Sequence, residues 1–138
     1  MDKIVYDIVT QQINRQFEWG EFDCTTPVVV LLEKITGSCL GEYKNLWHDQ
    51  QSAMDYMRAH SYLDALLKFP HTDIEWGRER TGDIFYIEYD LKHDKSHQTT
   101  GIVYGNRLLM VTEADGMILL PLRTVGEPKN ILRIDQCQ

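Results

Sequence analysis

The apolar pattern of this chain changes period once, at Gly82. Ahead of that glycine, apolar side chains recur at helical spacing. Behind it they fall into short β-rich runs separated by turn residues. Helices first and strands afterwards is the signature of an α+β fold. The 138 residues show no repeat, linker or low-complexity stretch, so one domain over residues 1–138 is expected.

Ile4, Val5, Ile8, Val9 and Ile13 mark a first amphipathic helix over about residues 3–16, with Asp2 as its cap. A second helix is read from Cys24 to Thr36, with Asp23, Thr25 and Thr26 as cap candidates. Pro27 fits its first turn, where a missing N–H costs nothing, and Gly37 stops it. Its apolar residues cover nearly every side, which makes it a central, buried helix. The triplet Val28-Val29-Val30 favours a strand on propensity, but the Pro and Gly punctuation favours a helix. A third helix spans about Gln50–Phe69, with Asp49 as its cap. Five strands follow: Asp83–Tyr89, Thr99–Tyr104, Arg107–Glu113, Met117–Leu122 and Ile131–Ile134. Turns at Gly105-Asn106 and Ala114-Asp115-Gly116 join three of them into an antiparallel meander.

Twenty-one acidic residues against fourteen basic ones give a net charge of −7. That balance, with no basic run, argues against nucleic acid and anionic membrane surfaces as partners. No apolar run reaches the ~18 residues of a membrane span, and the N-terminus lacks the apolar core of a signal peptide. Three cysteines, Cys24, Cys39 and Cys137, show no metal-binding spacing and read as free thiols of a reducing compartment. His93 and His97 lie four apart near Asp90 and Asp94. No further His or Cys joins them, so a solvated loop is read there, and neither metal nor cofactor is expected.

Cys24 is the residue with chemistry in it. A thiol in the first turn of a buried helix meets unpaired N–H groups and a partial positive charge, both of which favour the reactive thiolate. The plain alternative is a small apolar side chain filling the core. Trp19 and Gly20 read as a packed aromatic and a turn, or as the rim of a cleft. Asp23 reads as a cap, Gly82-Asp83 as a turn into a strand, and Trp47, Tyr56 and Trp76 as core or interface aromatics.

A helix with Cys at its start, packed on a later antiparallel meander, resembles the plan of papain-like cysteine hydrolases. The motifs Phe17-x-Trp19-Gly20-x-Phe22-Asp23-Cys24, Thr36-Gly37, Gly82-Asp83-Ile84-Phe85 and Thr100-Gly101-Ile102-Val103-Tyr104-Gly105 resemble the NlpC-like amidases and endopeptidases of bacterial cell walls. With Tyr43 and the final Ile131-Leu132-Arg133-Ile134, they are similar to small phage tail-associated proteins of that plan. The resemblance implies Cys24 as nucleophile and a His two residues before Gly101 as base. Thr99 stands there, and the third polar position falls near the apolar Val111. His97, two residues earlier on the same strand face, is the substitute base. It is displaced by about 7 Å, with Thr112 or Glu113 to orient it.

Two readings follow from the resemblance. One is a structural protein of the phage tail tip, built on a degenerate hydrolase domain, made in the host cytoplasm, carried in the virion and docked on other tail proteins. The other is a cysteine peptidase or amidase, with Cys24 as nucleophile and His97 as base, that opens peptidoglycan during infection through a thioester.

Overall fold

The computed structural model describes residues 1–12, 15–19, 21–36, 51–52, 55, 62–89, 97–112 and 114–135. Among them the order is α1 (Asp2–Gln12), α2 (Thr26–Thr36), α3 (Tyr62–Leu67), β1 (His71–Asp73), β2 (Ile84–Tyr89), β3 (His97–Tyr104), β4 (Arg107–Thr112), β5 (Gly116–Pro121), α4 (Leu122–Val125) and β6 (Asn130–Ile134). The fold is α+β: helices from the N-terminal half lie against one antiparallel sheet. No helix among the described residues is long and apolar enough to cross a membrane.

The sheet has six strands, not five, in the order β1-β6-β2-β3-β4-β5. The added strand, β1, is three mostly exposed residues at the sheet edge, too short and polar to show a period. β6 inserts between β1 and β2, pairing Ile84 with Leu132 and His71 with Ile134. β2, β3, β4 and β5 form the expected meander. The Gly105-Asn106 turn closes on the Tyr104–Arg107 pair, with Gly105 at φ 62°. The four-residue α4 is a further element without a sequence signal.

Strand alternation sorts the core into two layers. Ile84, Tyr86, Ile102, Leu109, Leu132 and Ile134 face the helices and pack with Val5 and Ile8 of α1 and with Val28, Val29, Leu31 and Leu32 of α2. Phe85, Val103, Leu108 and Ile131 face the other way, under Leu122 and Val125 of α4. Val28 and Val29 are fully buried within α2, so tertiary burial overrides their strand propensity.

Helix limits differ from the sequence reading. Residues 15–17 are not helical, and Ile13 lies outside the described residues. Val5 N–H donates to the Met1 carbonyl, so Asp2 stands in the first turn of α1 rather than at its cap. α2 begins at Thr26, not Cys24. Val29 N–H donates to the Thr25 carbonyl, which makes Thr25 the cap residue and leaves Cys24 in the turn before it. In the Gln50–Phe69 reading, Gln51, Ser52 and Asp55 are helical, as is Tyr62–Leu67, while Lys68 and Phe69 have left the helix. Asp49 and Gly37 lie outside the described residues.

Gly116 starts β5 at φ 70°, and a Cβ there would sit 2.7 Å from the Arg15 carbonyl oxygen. Gly105 shares the left-handed conformation, but its Cβ position is open. Gly105→Ala is therefore expected to lose about 1 kcal/mol, the left-handed penalty alone. Gly116→Ala should lose about 2–4 kcal/mol because backbone must also move. Urea unfolding of the two variants measures the difference; equal losses would contradict the close approach.

Candidate functional site

A bridge and a turn precede α2. Glu18 and Phe22 exchange reciprocal backbone hydrogen bonds of 2.8 and 2.7 Å, which hold these two residues side by side. Phe22 is fully buried, with the Arg15 guanidinium 4.8 Å above its ring. Trp19 is half-buried and packs edge-on to Phe17 at 4.6 Å. The three aromatics of the motif thus pack ahead of the thiol.

Asp23 organises the turn into α2. Its Oδ1 accepts from the Thr25 backbone N–H at 2.9 Å and from the Thr25 hydroxyl at 2.7 Å. Its own N–H donates to the Thr26 hydroxyl at 2.9 Å, and Thr26 N–H donates back to its carbonyl at 3.1 Å. Asp23 is 1% exposed, so it acts as a buried turn-former one residue before Cys24.

β3 supplies the other wall. The Thr100 hydroxyl donates to the Cys24 carbonyl at 3.1 Å, and the neighbouring Thr99 hydroxyl acts weakly on the Cys24 thiol, in the direction that favours its anion. The resemblance puts position 99 opposite the thiol, with His97 on the same strand face. Val103, on that face too, belongs to the layer away from the helices, and Ile102 to the helix layer. Thr100 shares the helix-facing side of β3 with Ile102, and its hydroxyl meets the Cys24 carbonyl there.

The consequence for the thiol is the opposite of activation. Cys24 is 7% exposed. Burial first, and the adjacent Asp23 carboxylate second, push its pKa from 9.0 up to about 12, against the smaller lowering effect of the Thr99 and backbone hydrogen bonds. Such a thiol is roughly one part in 10⁵ thiolate at neutral pH. A threonine hydroxyl does not act as a base near pH 7, so it cannot take the proton.

His97 lies in β3 opposite Tyr89, at the far end of the β2–β3 pairing; its side chain lies outside the described atoms. Val111 is buried and apolar, as read, and Thr112 ends β4 opposite Gly116. Glu113, His93, Asp90, Asp94, Gly20, Tyr43, Trp47, Tyr56, Cys39 and Cys137 are outside the described residues. Among the described residues no three His, Cys, Asp or Glu side chains gather as a metal site.

Two motifs that are remote in sequence meet in space. Arg133 of β6 donates from Nε to Asp83 Oδ1 at 2.9 Å and from Nη2 to Oδ2 at 2.8 Å. Asp83 Oδ2 also accepts the Arg80 backbone N–H at 2.8 Å. The Asp83 side chain is 2% exposed and Arg133 34%, and their bond raises the arginine's already high pKa. Asp83 is therefore a structural ion-pair partner that ties the start of β2 to β6. Nothing in the sequence joined the two, because fifty residues separate them.

Fold and site together define an α+β protein with a buried thiol held between the start of α2 and β3. A family model covers residues 2–127, and the chain belongs to that family, a domain of unknown function (DUF6950). A comparison with curated proteins found no match.

Two outcomes are expected. In a Cys39→Ser/Cys137→Ser background, iodoacetamide should leave Cys24 essentially unlabelled at pH 7–8 and label it progressively only as pH rises toward 12; mass spectrometry reads the rate, and a midpoint near ~8.5 would contradict the buried, Asp23-flanked thiol. Arg133→Ala should cost about 2 kcal/mol. That is less than a fully buried pair, because the guanidinium is a third open to solvent. Lys129→Ala, which breaks the exposed 2.8 Å pair with Glu88, should cost under ~1 kcal/mol in the same chemical denaturation.

Proposed function

We propose that this chain is a non-catalytic, structural or interaction protein built on a degenerate papain-like cysteine hydrolase domain. The observation that carries the reading is the Cys24 environment. The thiol is buried beside a buried carboxylate, and the described β3 side chain that acts on it is the Thr99 hydroxyl. Nucleophilic cysteines need a base or a cationic neighbour and a path for substrate. Here the neighbouring charge has the wrong sign. The α2 N-terminus does not rescue the thiol, because Cys24 lies two residues ahead of the helix and its surroundings disfavour the anion.

The setting we propose is a phage tail, with the protein made in the host cytoplasm, carried in the virion and held by other tail proteins. Support for that setting is the combined likeness of the Trp19-to-Cys24 segment, Gly82-Asp83 and Ile131–Ile134 to small tail-associated proteins. Delivery within a particle also suits an acidic chain, which a negatively charged cell wall would not attract.

The test pairs an activity assay with a location assay. Zymography on purified peptidoglycan should show no clearing by the native protein and none by Cys24→Ala. Immunodetection should find the protein in purified virions, and a phage carrying Cys24→Ala should plate as well as its parent. Clearing that Cys24→Ala abolishes would establish the competing enzyme reading, with Cys24 as nucleophile and His97 as base. Protein present in infected lysate but missing from virions would remove the tail-component reading.

A further inference from the structure

The sheet face turned away from α1 and α2 carries a second feature, which involves neither Cys24 nor Thr99. Between β1 and β2 the chain makes a tight turn at Glu75-Trp76-Gly77-Arg78, closed by Arg78 N–H donating to the Glu75 carbonyl at 3.0 Å. Gly77 at φ 97° supplies the left-handed third position, and its N–H is held by the Glu79 carboxylate at 2.7 Å. Trp76 therefore stands at the second position of a braced turn. Its ring lies 5.8 Å from the fully buried Phe85 ring, yet the residue remains 41% exposed. One side of the indole is supported by the core while much of the residue meets solvent.

Trp76 borders a groove of about 360 Å³ whose apolar wall includes Ile74, Pro128 and Ile131. Asp73, Glu75 and Glu127 also line it, against one cation, Lys129, which is bonded to Glu88 at 2.8 Å. Asp73 is shared with His71 at 3.7 Å. Glu75 is shared with Arg78 at 3.8 Å, with both of those side chains about 80% exposed, so that internal pair is weak and replaceable.

We propose that this groove is a docking site for an arginine side chain presented by a basic segment of another protein. The chemistry of the lining selects that occupant. A planar guanidinium stacks on an indole face, its aliphatic stem covers apolar surface, and its five N–H donors match carboxylate oxygens. The excess of carboxylates over cations supplies complementary charge and repels an acidic partner. A glycan also stacks on exposed indoles, but a neutral sugar would not exploit the groove's charge.

The test uses the whole chain and a fluorescein-labelled hexa-arginine peptide, with hexa-citrulline as the uncharged control. Fluorescence anisotropy should show binding of the arginine peptide that weakens as salt rises, and much weaker binding of the citrulline peptide. Trp76→Ala should weaken it about fivefold to tenfold, and Trp76→Phe by less, since phenyl is the poorer cation platform. Glu75→Gln/Glu127→Gln should weaken it comparably. Asp115→Asn, an exposed charge change on the β4–β5 turn, should leave it within about twofold. Circular dichroism melts accompany each variant, and Trp76→Phe keeps the test valid if the alanine variant fails to fold. Equal loss in Asp115→Asn and in the groove variants would reduce the effect to overall charge and overturn the proposal. Unchanged binding in both Trp76 variants would overturn it as well, as would chitohexaose binding that depends on Trp76 in place of arginine binding. None of these outcomes depends on whether Cys24 is catalytic.

Discussion

The arrangement turns on the junction where the approach to α2 meets β3. The Thr100 hydroxyl holds the Cys24 carbonyl, and Thr99 beside it acts on the thiol. A buried carbonyl without a partner is costly, and the strand satisfies it without admitting water. The dry junction that secures the helix is the same environment that keeps the thiol protonated. Packing and reactivity make opposite demands here: burial that serves the junction disfavours the thiolate.

Asp23 shows how one side chain serves the fold at the expense of chemistry. Its carboxylate gathers the Thr25 N–H and hydroxyl, and so sets the turn from which α2 departs. The same negative charge lies beside the sulfur and disfavours a second one. A turn built on a neutral acceptor would be gentler on a thiolate.

At the opposite side of the sheet, β6 closes the domain by entering between β1 and β2. The Asp83–Arg133 fork fixes that insertion at the start of β2. Its two geometrically matched bonds give direction as well as energy, since a bidentate pair tolerates little sliding of one strand against the other. The short β1 then covers the outer side of β6, and the turn that follows it displays Trp76 over Phe85. The groove beside Trp76 is thus a consequence of how the last strand is received.

Much of the architecture is legible in the residues. The change of period at Gly82, the cap candidates ahead of α2 and the Gly105 and Gly116 turns were sufficient for α1, α2, the meander and the α+β class, because each is written in local pattern. β1 and α4 were not legible, since three or four residues carry no periodicity. The start of α2 was misplaced by two residues: Asp23, Thr25 and Thr26 are all able caps, and only the hydrogen bonds choose Thr25.

The sequence by itself determined that a buried helix would start near Cys24 and that a threonine would occupy the strand position two before Gly101. Only the tertiary structure decided what surrounds the sulfur: a hydroxyl from one strand residue, a carboxylate from its own neighbour, and little solvent. It also decided the Asp83–Arg133 pair and the exposure of Trp76. Local pattern is set by near neighbours along the chain, whereas the polarity of a buried site is the sum of groups brought in from distant segments, and that sum exists only once the sheet has closed.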